Sequence, residues 1–71
     1  MRKWLKNLRR EAKIKQSEIA EKLNISQGYY AMIENGERKK DLDISIAMKL
    51  SELFGVSVDW IVEQEKQYKS T

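Results

Sequence analysis

Gln16-Ser-Glu-Ile-Ala-Glu-Lys-Leu-Asn-Ile-Ser-Gln-Gly-Tyr-Tyr-Ala-Met-Ile-Glu-Asn-Gly36 is the stretch that decides the fold. Its apolar residues fall at Ile19, Leu23, Ile25, Tyr30 and Ile33, with the small Ala20 between the first two. Residues 16–23 read as a short helix with Ile19, Ala20 and Leu23 on its inner face. Lys15 is a poor N-cap, but Glu18 can reach back to its N–H and form half of a capping box. Asn24 tolerates the left-handed conformation that ends a helix. Ser26 caps the next helix, Gln27 to Glu34 or Asn35, and Gly36 closes it in the same left-handed role.

Two helices that cross steeply after a three-residue turn need this combination. A small residue permits close approach, a turn residue accepts positive φ, and an apolar set anchors both helices. An ordinary αα corner needs fewer of these features at once, so the stretch is read as a helix-turn-helix. Upstream, Trp4, Leu5, Leu8 and Ala12 recur at three and four and predict an amphipathic helix over 3–13. Downstream, Asp41 or Asp43 caps a fourth helix with Ile46, Ala47, Leu50, Leu53 and Phe54 inward and Ser45, Lys49 and Glu52 outward. Gly55 ends it. Ser57 caps a fifth helix with Trp60 and Ile61 buried, followed by a polar tail, 63–71, expected to fray. No strand signal competes. The chain is therefore expected to be all-α, a compact five-helix domain over residues 1–66 with a frayed end at 67–71.

The 71 residues include 14 Lys and Arg against 11 Asp and Glu, a formal charge of +3, and no His, Cys or Pro. That length supports one small domain. Without Cys there is no disulfide or thiolate metal site, and without His the commonest general base is missing. No Gly-rich phosphate loop or paired-carboxylate spacing is present either, so an enzyme is not expected, nor is a metal or cofactor. The sequence offers no apolar run long enough for a membrane span and no secretory signal, which makes a cytoplasmic location the expectation. Charge is unevenly placed: +6 over residues 1–15, −2 over 16–36, +1 over 37–41 and −2 over 42–71. The basic excess lies in the first helix and one short loop. A membrane-surface role for the basic first helix is rejected, because its apolar face is needed for the core.

Residues 16–27, with Ile33-Glu-Asn-Gly36 and Phe54-Gly-Val-Ser-Val-Asp-Trp-Ile61, resemble the Cro/repressor-type helix-turn-helix family, also called the XRE family. The resemblance covers about residues 4–62 and implies a lambda-repressor-like DNA-binding fold with its helix-turn-helix at about 16–35. It implies a sequence-specific transcriptional regulator, a repressor, whose 27–34 helix reads the major groove of double-stranded DNA as a homodimer on a palindromic operator. The chain departs from the family pattern at Lys15, which replaces a Ser, Thr or Asn cap, and at Asn24, which replaces a Gly. No Pro follows the recognition helix, and the 37–43 loop is about two residues longer than usual. The alternative is an antitoxin-like or co-regulator module that keeps the fold but binds a protein, which the acidic C-terminal half would suit.

With 27–34 as recognition helix, Tyr30 and Ile33 face the core while Gln27, Gly28, Tyr29 and Met32 face outward and are the candidate base-reading residues. A Gln27 carboxamide can pair with adenine N7 and N6, Tyr29 can reach a phosphate or a thymine methyl, and Met32 offers apolar contact. Gly28 is costly inside a helix and lies away from the core, so close approach to the bases, or freedom for Tyr29, is its expected reason, with drift at a tolerant first-turn position as the competing account. Lys15, Gln16, Ser26, Arg38, Lys39 and Lys40 are the candidate phosphate contacts, with Gln16 at a helix N-terminus where an anion is welcome or where it braces Gln27. Lys3, Lys6 and Lys13 are equally well read as solvated. The family resemblance implies a structural ion pair between Arg9 and Glu34. Trp60, Ile61 and Val62 are the candidate dimer surface, and no small-molecule effector is evident.

Overall fold

The structure is a computed structural model and describes residues 1–37 and 41–70. Five α-helices and no strand occur among the described residues: α1 (Lys3–Glu11), α2 (Gln16–Leu23), α3 (Gln27–Asn35), α4 (Ile44–Phe54) and α5 (Val58–Lys69). They fall into two packed units, Met1–Lys40 and Asp41–Thr71. None of the helices is long and apolar enough to cross a membrane.

In the first unit the apolar spacing does what the sequence implies. Leu5 of α1, Ile19, Ala20 and Leu23 of α2, and Tyr30 and Ile33 of α3 are buried, each large side chain contributing about 1.5–3 kcal/mol. The turn between α2 and α3 carries Asn24 at φ 59°. Its N–H donates to Glu21 O and that of Ile25 donates to Ala20 O, both at 3.0 Å, the paired bonds of a Schellman ending. Lys15 N–H donates to Glu18 Oε1 at 3.3 Å; a lysine side chain has no lone pair to complete the box, so only this half forms. The Ser26 hydroxyl accepts the Tyr29 N–H at 3.1 Å and starts α3, which Gly36 ends at φ 68°.

The first helix is shorter than its periodicity predicts. It stops at Glu11 because Lys13 turns to φ 58°, sending its N–H to Arg10 O and that of Ile14 to Arg9 O. Ala12 thus falls outside the helix and is exposed instead of inward. Lysine is an unusual occupant of left-handed backbone, so nothing in its type announces the ending.

In the second unit Asp43, and not Asp41, caps α4: its Oδ1 accepts the Ser45 N–H at 2.8 Å. Ile46, Ala47, Leu50 and Ile61 are buried, whereas Leu53 and Phe54 are half-buried. Gly55 ends α4 at φ 67°, and the Ser57 hydroxyl accepts the Trp60 N–H at 2.9 Å to start α5. One expectation fails here. Trp60 is 37% exposed, because the side chain one position before the inward Ile61 is rotated about 100° from it. The polar stretch after Val62 is helical as far as Lys69, where Lys69 pairs with Asp41 of the same unit.

Candidate nucleic-acid interface

The outward face of α3 follows from its inward one. Successive residues turn about 100°, so burying Tyr30, Ile33 and Glu34 points Gly28 and Met32 almost directly away from the interior, with Ala31 and Tyr29 flanking; Gln27 falls about 20° from Glu34 on this wheel and is exposed at its place as the first residue of the helix. Gln27, Gly28 and Tyr29 are exposed, and Ala31 and Met32 are half-buried. Serine capping leaves the first turn of α3 open, and a hydroxyl that accepts from Tyr29 keeps its own proton for donation. A Cβ added at Gly28 would meet nothing within 4 Å, so no packing inside the protein calls for glycine there.

The inner face of α3 is held by a polar cluster around one carboxylate. Glu34, 2% exposed, accepts Arg9 Nε at 2.8 Å and Arg9 Nη2 at 3.0 Å, a two-pronged pair across α1 and α3. Tyr30 Oη donates to Glu34 Oε2 at 2.7 Å and Gln16 Nε2 to Oε1 at 3.4 Å. Arg9 Nη1 also donates to Ile14 O at 3.1 Å. No buried side-chain polar atom among the described residues lacks a partner. Burial pushes the Glu34 carboxyl up, but the hydrogen bonds and charge of Arg9, with those from Tyr30 and Gln16, outweigh it and hold the carboxyl below its ordinary range. The Glu34 hydrogen bond raises Arg9. Burial first, then the bond to Glu34, raises the Tyr30 phenol. One ionised carboxylate thereby ties α1, α2 and α3 together behind the outer face of α3.

The expected site residues divide accordingly. Gln27, Gly28, Tyr29 and Ser26 share the exposed end of α3, and Lys15 is exposed at the start of α2. Gln16 turns its amide to Glu34, a contact that differs from both the phosphate and the Gln27 roles expected of it. Met32 is half covered by the protein itself. Arg38, Lys39 and Lys40 lie outside the described residues. Of the expected dimer surface, Ile61 is 1% exposed and belongs to the interior, whereas Trp60 and Val62 are exposed. Sequence reasoning missed the Tyr30 hydroxyl, read only as an apolar anchor, and Arg2, counted with the surface charges but 3% exposed. Arg2 precedes α1 and carries no periodic signal.

Because nothing intramolecular opposes a methyl group, Gly28→Ala is expected to stabilise the fold by about 0.5–1 kcal/mol. If the helix approaches bases closely at this position, the same change weakens specific DNA binding. Thermal melting and operator titration read the two effects separately, and a stabilised variant with unchanged affinity would remove Gly28 from the reading face.

A helix-turn-helix family profile matches residues 5–61, most of the chain. The HTH-type transcriptional regulator YqaF of Bacillus subtilis (strain 168), itself uncharacterized, is 44% identical over 62 residues, covering 87% of this chain and 76% of that protein. No solved structure matches the chain. With its capped α2–turn–α3 unit, its left-handed Asn24 and the extent of that match, the chain belongs to the Cro/repressor-type helix-turn-helix family.

Proposed function

We propose that this protein is a sequence-specific DNA-binding transcriptional regulator, a cytoplasmic repressor that binds a palindromic operator as a homodimer. The observation that carries the reading is the division of α3 between a tightly held inner face and an exposed end bearing Gln27, Gly28 and Tyr29. Gln27 reads a base edge, Tyr29 contacts a phosphate or thymine methyl, and Met32 adds apolar contact at the margin. Lys15, Ser26 and the basic residues Arg38, Lys39 and Lys40 hold the phosphate backbone, with Gln16 adding the amide hydrogen that Glu34 does not take, helped by the N-termini of α2 and α3. Residues 1–66 act as one DNA-binding domain, and no cofactor or small-molecule effector is invoked. A single domain this small covers little DNA, and pairing on two half-sites one helical turn apart enlarges the interface. Exposed Trp60 and Val62 are the proposed contribution to that pairing.

Selection of bound duplexes from a random pool tests the proposal, with an enriched palindrome as the expected result. Gln27→Ala should then cost about 1–3 kcal/mol of specific affinity, relax the preference at one position per half-site, and leave melting unchanged because the side chain is exposed. Ile44 and Met48, one turn apart on α4 and 64% and 56% exposed, favour a second reading in which the same fold serves a protein partner. A pool with no enriched sequence would select that reading.

A further inference from the structure

An α-helix leaves its last four carbonyls without intrahelical partners, and α3 has no basic residue in its last turn to serve them. Met32 O accepts the Gly36 N–H at 2.9 Å and the Glu37 N–H at 3.3 Å. The next two are taken by one residue from the other end of the unit. Arg2 Nη1 donates to Ile33 O at 2.6 Å, and the Arg2 backbone N–H donates to Glu34 O at 2.8 Å. The N–H of Arg2, at the N-cap of α1, lies outside the hydrogen-bond ladder of α1. Orphan groups at the start of one helix and the end of another therefore satisfy each other. A permanently charged guanidinium at a helix C-terminus also meets the negative end of the helix dipole.

We infer that Arg2 is the clamp on the C-terminal turn of α3 and, through that turn, a positioning residue for base discrimination and not a phosphate contact. The inference rests on the reading of α3 as the DNA-reading helix. At 3% exposure Arg2 is engaged with the α3 carbonyls, so of the seven basic side chains in residues 1–15 this one is not presented to a phosphate. Its effect is geometric. Flexible lysines follow a phosphate through small tilts of the helix, whereas base-edge hydrogen bonds fail beyond a few tenths of an ångström.

Arg2→Met keeps an apolar stem and removes the donors, and Arg2→Lys restores one charged donor. Both are measured well below their melting temperatures. Amide hydrogen exchange of Gly36 and Glu37, whose N–H groups close the clamped turn, should accelerate about tenfold or more in Arg2→Met and less in Arg2→Lys. Affinity for the selected operator should fall about tenfold while affinity for random duplex stays within about twofold and the salt dependence keeps its slope, with partial rescue in Arg2→Lys. A slope reduced by about 0.9 for each Arg2 would make it a phosphate contact. Equal losses on operator and random DNA would make it a residue of general stability alone. Either result overturns the inference, as does unchanged exchange. If the unmodified protein selects no DNA sequence, the proposed function fails, and so does the part of this inference that concerns bases; the exchange rates still decide the clamp. Should Arg2→Met not fold, Arg2→Lys carries the comparison.

Discussion

Glu34→Gln is expected to remove about 3 kcal/mol of stability, a lowering of the melting temperature by about 12–24 °C. The whole chain has about 4–10 kcal/mol to lose, so this is the largest single-residue effect expected outside the apolar core. The reason is asymmetry: the pair itself contributes little net energy, but removing one partner leaves the other uncompensated. Gln keeps the shape of the side chain while withdrawing the charge that Arg9 faces and one of the acceptors that serve Arg9, Tyr30 and Gln16. DNA binding should fall with stability, because the same carboxylate ties α3 to α1 and α2. Circular-dichroism melting beside operator titration checks both, and a variant of full stability with abolished binding would place Glu34 at the DNA.

The pH dependence of the same cluster has a definite sign. The Glu34 carboxyl is held below the ordinary 4.5 of glutamate, so in acid the unfolded chain binds the proton first. Its contribution is complete above about pH 4.5 and disappears as pH falls through the lower folded value. Arg9→Met removes the largest influence that lowers this carboxyl and leaves burial opposed only by the Tyr30 and Gln16 hydrogen bonds, so the folded value moves up toward the ordinary one. Stability in that variant should then fall less as pH drops below about 4.5 than it does in the unmodified protein. Chemical denaturation across pH 3–7 separates the two slopes, and parallel curves would show that Arg9 does not govern Glu34.

The second large effect is on salt. If six or more phosphates are neutralised, the logarithm of affinity falls against the logarithm of salt with a slope of order −5 or steeper. Raising salt from about 50 to 200 mM then weakens binding by about a thousandfold. Lys15→Gln should reduce the slope by about 0.9 for each phosphate no longer neutralised, hence about 1.8 for a dimer on two half-sites. Titration of the selected operator over this range is the measurement. A protein that serves only a protein partner would show no such DNA binding at any salt.

Local chemistry made most of the elements readable. Ser26, Asp43 and Ser57 each cap a helix with a side-chain oxygen, and Asn24, Gly36 and Gly55 each end one in left-handed backbone. These signals act within a few residues, so residue type alone carries them. Lys13 ends α1 in the same conformation without the residue type that favours it, and there the periodicity overshoots the helix. The outward Gly28 and Met32 of α3 were legible for the same reason as its inward face, because both follow from one helical period, whereas Gln27 is exposed at the start of the helix. The pairing of Arg9 with Glu34 came from family resemblance; their separation of 25 positions puts it beyond any local pattern.

By itself, then, the sequence determined the order and class of the helices, their caps, the turn that joins α2 to α3 and the face that α3 presents, because each depends on short-range geometry and apolar period. Tertiary structure alone decided which polar groups are taken inward. It buries Arg2 against the α3 carbonyls, turns Gln16 toward Glu34 and gives the Tyr30 hydroxyl its acceptor. A charged or polar side chain is buried only where distant partners converge on it, and that convergence exists only once the helices have packed.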